Sequence, residues 1–102
     1  MYIFYAISIL AILLAQVFAA VHVVTIKDFK FVPQVVNINP GDKVTWTNND
    51  SADHTATADA GSFDSGLIAT GKSFSHTFTT AATLSYHCTI HPYMLGTVKA
   101  AS

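Results

Sequence analysis

Arginine and glutamate are missing altogether from the 102 residues, and cysteine and tryptophan appear once each. The charged set is five lysines and six aspartates, a formal net charge of −1 with no basic run, so a nucleic-acid surface has no electrostatic footprint here. A single cysteine excludes an internal disulfide. Beyond the first twenty residues there is no helical period, no internal repeat and no low-complexity linker. The length allows one domain.

Charge is also lacking throughout Met1–Ala20, which is apolar except for Ser8 and Gln16. The stretch reads as a secretory signal peptide ending in the small residues Ala19 and Ala20. It has no Lys or Arg in its n-region, and about 20 apolar residues can just span a bilayer, so an uncleaved anchor is the alternative. The expected division is a leader over 1–20, cut after Ala19 or after Ala20, and a domain over 21–102 that is periplasmic or otherwise exported. A domain of about 80 residues is near the size at which a small core needs a staple or a metal. In an oxidising compartment a lone thiol asks for a reason, and metal ligation supplies one. A cut after Ala19 would also make His22 the third residue, where amine, two amides and imidazole can form a square-planar copper or nickel site. An edge-strand histidine is the simpler account.

What the chain does have is β-branched alternation. Val21–Ile26, with Phe29 and Phe31 continuing the period on one face, is expected as a first strand. Gln34–Ile38 follows Pro33, and Asn39-Pro40-Gly41-Asp42 is a turn in which Pro presets φ and Gly permits the reversal. In Lys43–Thr47 the period of two puts Val44 and Trp46 on the buried face. His54–Ala58 is short and strand-like, Asp59–Gly71 irregular with Phe63, Leu67 and Ile68 as apolar anchors, and Ser73–Phe78, Thr83–Cys88 and Leu95–Ala100 complete the set. Many short strands with turns between them indicate an all-β sandwich or barrel.

The densest chemistry lies in Tyr86-His87-Cys88-Thr89-Ile90-His91-Pro92-Tyr93-Met94. Cys88, His91 and Met94 recur at every third position, so one turn after a strand can aim a thiolate, an imidazole and a thioether at one point. His54, delivered by the polar loop Asn48–Asp53, is the best candidate for the missing ligand. Two histidines and a cysteine with a weak methionine form the ligand pattern of a blue-copper electron-transfer centre. Zinc in a structural site would favour four strong ligands, which a thioether is not. His87 alternates to the face opposite Cys88, His76 reads as half-buried packing, and Tyr86 and Trp46 read as core. The six aspartates read as solvated turn residues.

Phe29-Lys30-Phe31-Val32-Pro33, Pro40-Gly41-Asp42-Lys43-Val44-Thr45-Trp46, His54 and Tyr86-His87-Cys88 through Gly96 together resemble the cupredoxins. The likeness is to the amicyanin and plastocyanin branch, and the short Cys-x2-His-x2-Met loop is similar to that of amicyanin. The resemblance implies a Greek-key β-sandwich of about seven to eight strands. It implies one type 1 copper held by His54, Cys88, His91 and Met94, with electrons leaving through the exposed edge of His91. Two positions depart from the branch. Thr55 stands where Asn commonly ties the two ligand loops together, and its hydroxyl is expected to do so only in part. Ile90 stands where amicyanin has Pro, and its amide is expected to donate to the Cys88 sulfur and raise the reduction potential.

The function so implied is that of a small exported one-electron carrier, a monomer and not an enzyme. Its redox protein partners, of the dehydrogenase or cytochrome type, would dock near His91, Pro92 and Tyr93. Membrane association is expected only if the leader is uncleaved. The alternative is a copper carrier or buffer that hands over the ion and not the electron.

Overall fold

Strand period and turn chemistry set the architecture. The computed structural model describes residues 18–102, so most of the expected leader lies outside the described residues. Eight strands follow in order: β1 Val21–Lys27, β2 Lys30–Val32, β3 Val35–Ile38, β4 Lys43–Asn48, β5 Thr57–Ala58, β6 Ser73–Thr77, β7 Ala82–His87 and β8 Leu95–Ala100. They form two four-stranded sheets, ordered β2-β1-β4-β6 and β3-β8-β7-β5. β1 lies parallel to β4 and β3 parallel to β8, while the remaining pairs are antiparallel. Parallel neighbours cannot be joined by a hairpin; the chain crosses between the sheets instead, which gives the Greek-key sandwich that the resemblance implies.

Alternation fills the space between the sheets. Val24 and Ile26 of β1, Val44 and Trp46 of β4, Tyr86 of β7 and Val98 of β8 are fully buried. Trp46 is the centre, with Phe63, Phe74 and Tyr86 rings at 5.4, 5.8 and 5.4 Å. Tyr86 presses its ring so closely on Gly96 that an added Cβ there would overlap it; the glycine admits the ring. His76 is half-buried, stacked on Phe63 at 5.3 Å, as packing.

Two expectations about apolar residues fail. Phe29 does not share a strand face with Phe31: it sits in the two-residue turn between β1 and β2, where both Asp28 and Phe29 have positive φ, 53° and 57°. This is the geometry of a hairpin turn matched to strand twist, and it turns the Phe29 ring toward one end of the sandwich. Leu67 is no anchor either. It is 69% exposed, while its neighbours in the same connection, Phe63 and Ile68, are buried.

The aspartates also divide. Asp42 is buried and accepts hydrogen bonds from the amides of Ala20 and Asn39 and from His22 Nε2, at 2.9, 3.0 and 2.9 Å. The Asn39 amide, with His22 and the Ala20 amide, holds its carboxyl below the ordinary 3.8. His22 is thereby committed through its ring to a carboxylate. It pairs with Val44 in the β1–β4 ladder, and since β1 lies between β2 and β4 it is a histidine of an inner strand and not of an edge strand.

Candidate metal centre

The first loop is built from Asn48, fully buried at the end of β4. Its side-chain amide donates to the carbonyls of Ala52 and Ile68, both at 2.8 Å, and its oxygen accepts the Asp50 amide at 2.9 Å. All of its polar capacity goes into closing the loop. The loop then runs into a two-residue bridge in which His54 and Ile68 exchange backbone bonds of 3.2 and 2.7 Å. The result is an imidazole held in place with no exposed surface.

Asp50 orients that imidazole. Its carboxylate lies 2.9 Å from His54 Nε2 and accepts the amides of Asp28 at 2.7 Å and Phe29 at 2.9 Å. Burial alone would raise its carboxyl, but the Phe29 and Asp28 amides, with His54, hold it below the ordinary carboxylate value. An ionised carboxylate only accepts, so the proton of His54 is on Nε2 and the Nδ1 lone pair points the other way. The same carboxylate secures the left-handed turn, and the Phe29 ring stands edge-on to His54 and to His91, with centroids 5.3 and 5.0 Å away. Neither this use of Asp50 nor that of Asp42 was read from the sequence. The available signal was an acidic residue one helical-turn length before the candidate histidine, and an aspartate closing a Pro-Gly turn.

The second loop joins β7 to β8. The Met94 amide donates to the His91 carbonyl at 2.9 Å and the Cys88 amide to the Met94 carbonyl at 3.1 Å, so the three-residue spacing does fold into one closed turn. Cys88 and Met94 are buried, His91 is partly exposed, and His87 points away to Asp59 at 2.5 Å.

Three donor atoms then meet. Cys88 Sγ lies 3.7 Å from His54 Nδ1 and 3.6 Å from His91 Nδ1, and the two nitrogens are 3.2 Å apart. A point equidistant from all three is about 2 Å from each, the length of a metal–imidazole bond and slightly short for metal–thiolate. With the Nδ1 lone pair of His54 turned inward, the cluster suits a cation. Of the four residues expected at the site, His54, Cys88 and His91 form this triangle, and Met94 is buried in the turn that closes it.

The loops are tied together differently from expectation. The Thr55 amide donates to Cys88 Sγ at 3.4 Å, and the Thr55 hydroxyl accepts the Thr89 amide at 2.9 Å. Thr55 thus performs the tie in full, not in part. Among the described residues, the amide that reaches the sulfur is that of Thr55 and not that of Ile90, which removes the physical basis for expecting a raised potential from Ile90.

The family described as copper binding proteins, plastocyanin/azurin family, matches residues 19–101. Amicyanin of Paracoccus denitrificans is 34% identical over 89 residues, 82% of this chain and 68% of that protein. Chloroplastic plastocyanin of Tetradesmus obliquus is 39% identical over 72 residues, 60% of this chain and 50% of that protein. The structure of the Cu(I) form of a methionine-to-alanine variant of amicyanin superposes with a TM-score of 0.76 at 34% identity, covering 85% of this chain and 88% of that one. Fold, donor set and sequence agree, and the chain belongs to the copper-binding plastocyanin/azurin family, the cupredoxins.

Proposed function

We propose that this protein is an exported type 1 copper protein that carries one electron at a time between larger redox partners. The observation that carries the reading is the convergence of two imidazole nitrogens and a buried thiol sulfur within 3.2 to 3.7 Å of one another in a member of a copper-binding family. Copper, when bound, supplies the one-electron couple. Cys88, His54 and His91 are the close ligands in this reading, and Met94 the weak fourth. The chain's own contribution is rigidity: Asn48, Asp50 and Thr55 hold the donors from two loops in one arrangement, so little rearrangement opposes a change of charge. The partly exposed His91 lies between Ile90 and Tyr93, which are 45% and 69% exposed. They offer apolar surface for a redox protein at the edge of the imidazole. No catalytic role is proposed: the Cys88 sulfur that faces the two imidazoles is fully buried, and in this reading it is a metal ligand.

Export with removal of the leader belongs to the same proposal. Ala20 is tied to the domain, its amide donating to Asp42 and its carbonyl accepting the Lys43 amide; it is exposed, as are Phe18 and Ala19. A cut after Ala19 would set the new ammonium on the Asp42 carboxylate. N-terminal sequencing of the exported protein decides between Ala20, Val21 and Met1 as the first residue.

The test of the copper reading is the visible spectrum after adding Cu(II), with Cys88→Ala beside it. An intense thiolate-to-copper band that ascorbate bleaches and the variant lacks is expected; folded, copper-loaded protein without that band would overturn it. Retention of copper against a Cu(I) chelator through redox cycles separates an electron carrier from a copper buffer.

A further inference from the structure

Thr55 replaces an amide side chain with a hydroxyl that has a single proton, and the structure shows where that proton goes. Thr57 Oγ1 donates to Asp64 Oδ1 at 3.0 Å, and the same oxygen accepts the Gly66 amide at 3.0 Å. An ionised carboxylate cannot donate, so the only proton of the Thr57 hydroxyl is spent on Asp64. The 3.0 Å contact between Thr55 Oγ1 and Thr57 Oγ1 must then run from Thr55 to Thr57. With the Thr55 proton spent in turn, the 3.2 Å contact between Thr55 Oγ1 and Thr89 Oγ1 must be a donation from Thr89. Thr55 Oγ1 therefore donates once and accepts twice, from the Thr89 hydroxyl and from the Thr89 amide at 2.9 Å, which is the full capacity of a hydroxyl.

We propose that Asp64 is a positioning residue for the copper centre, acting through the hydroxyls of Thr57 and Thr55 on the loop that carries Cys88 and His91. The inference rests on the copper-binding reading above for its function, but its structural content does not. Each donated proton makes the donating oxygen a better acceptor, so a hydrogen-bonded chain ending on a charge is strengthened along its length. Asp64 thus supports the bond from the Thr89 amide, one residue from the sulfur, although no hydrogen bond among the described residues joins it directly to that loop. Thr55 also donates its amide to Cys88 Sγ at 3.4 Å, so a single residue sets both the sulfur's donor and the spacing of the two loops. Asp64 is exposed, Thr57 half-buried and Thr55 buried: the chain leads from the surface to the donor cluster.

The test reads amide hydrogen exchange at Thr89 by NMR in the metal-free protein, then the thiolate-to-copper band of the Cu(II) protein. Asp64→Asn keeps the shape and an accepting oxygen and removes the charge; Thr57→Val breaks the chain, and Thr57→Ser restores it. Thr57→Val is expected to speed Thr89 exchange about fivefold and Asp64→Asn about twofold, with Thr57→Ser at the parental rate. Both less-protected variants, Thr57→Val and Asp64→Asn, should also shift the copper band. Exchange at Thr89 that quickens in Thr55→Val but not in Thr57→Val or Asp64→Asn would overturn the proposal and leave Asp64 a local turn contact only. A protein that shows the expected exchange pattern but no copper band would leave the chain standing and remove the copper reading instead. Asp64 and Thr57 lie outside the core, and the same NMR spectra report that each variant is folded before its Thr89 exchange is read.

Discussion

Individual residues decide this protein's chemistry through their polar atoms, and the most instructive is one whose atoms are not satisfied. The Tyr86 hydroxyl and Trp46 Nε1 are buried without a hydrogen bond of good geometry. Burial pushes the phenol up to about 12, the neighbouring indole opposing slightly. A buried hydroxyl without a partner costs stability, so Tyr86→Phe should raise the urea midpoint, by about 1 kcal/mol in free energy. A drop of that size would instead reveal a partner, such as an enclosed water. Asn48, Asp50 and Thr55 are the opposite case, since every contact they make closes a loop around the donors. The sequence showed His54, Cys88, His91 and Met94 through residue type and spacing. It did not show Asp50 or Asp42, because a carboxylate in a turn looks solvated until the tertiary structure brings amides to it.

At the level of elements, the β1–β2 hairpin is the part most shaped by the site. Its turn places a phenylalanine in the left-handed region, at a cost on the order of 1 kcal/mol for a residue with a Cβ. Asp50 offsets this by accepting both turn amides. Strain of this kind at a functional end is a reason to look for a role, and the role here is the ring edge over His54 and His91. Phe29→Gly should therefore change folding stability by less than about 1 kcal/mol, because relief of the backbone offsets the lost contacts. It should weaken copper retention about threefold to tenfold, the range of edge-to-face aromatic contacts. Urea titration and competition with a chelator check the two halves. Equal copper retention in the variant would show the ring to be an ordinary surface residue. Strand periodicity had extended the first strand straight through this turn, since nothing in Lys27-Asp28-Phe29-Lys30 has the Asn-Gly signature of such a hairpin.

For the whole molecule, acid is the expected weak point. Asp42 and Asp50 both have carboxyls held below the ordinary 3.8. A carboxylate with a depressed native value contributes stability that is fully present above its unfolded value and is lost as pH falls through the native one. Through these two groups the melting temperature should thus not change with pH around neutrality, where their contribution is complete, and should fall as pH drops below about 4. Asp42→Asn should be less stable at pH 7 and should lose less on acidification. Parallel pH–melting curves for parent and variant would show that Asp42 does not contribute in this way. Asp42 matters at this scale because it joins the start of β1 to the β3–β4 turn, pinning the first strand of one sheet where the chain crosses from the other.

The class of fold and the chemistry of the centre follow from the order of residues along the chain. Alternating side chains partition between a buried and an exposed face whatever their partners, and Val44 and Trp46 behave accordingly. A three-residue spacing closes into one turn by local backbone bonding, which is why Cys88, His91 and Met94 could be grouped without a structure. The tertiary structure alone decided how His54 is oriented, which amide reaches the sulfur, and where Phe29 points. Those depend on atoms brought together from the first hairpin, the loop after β4 and the loop after β7. No period along a single segment encodes the distance between them.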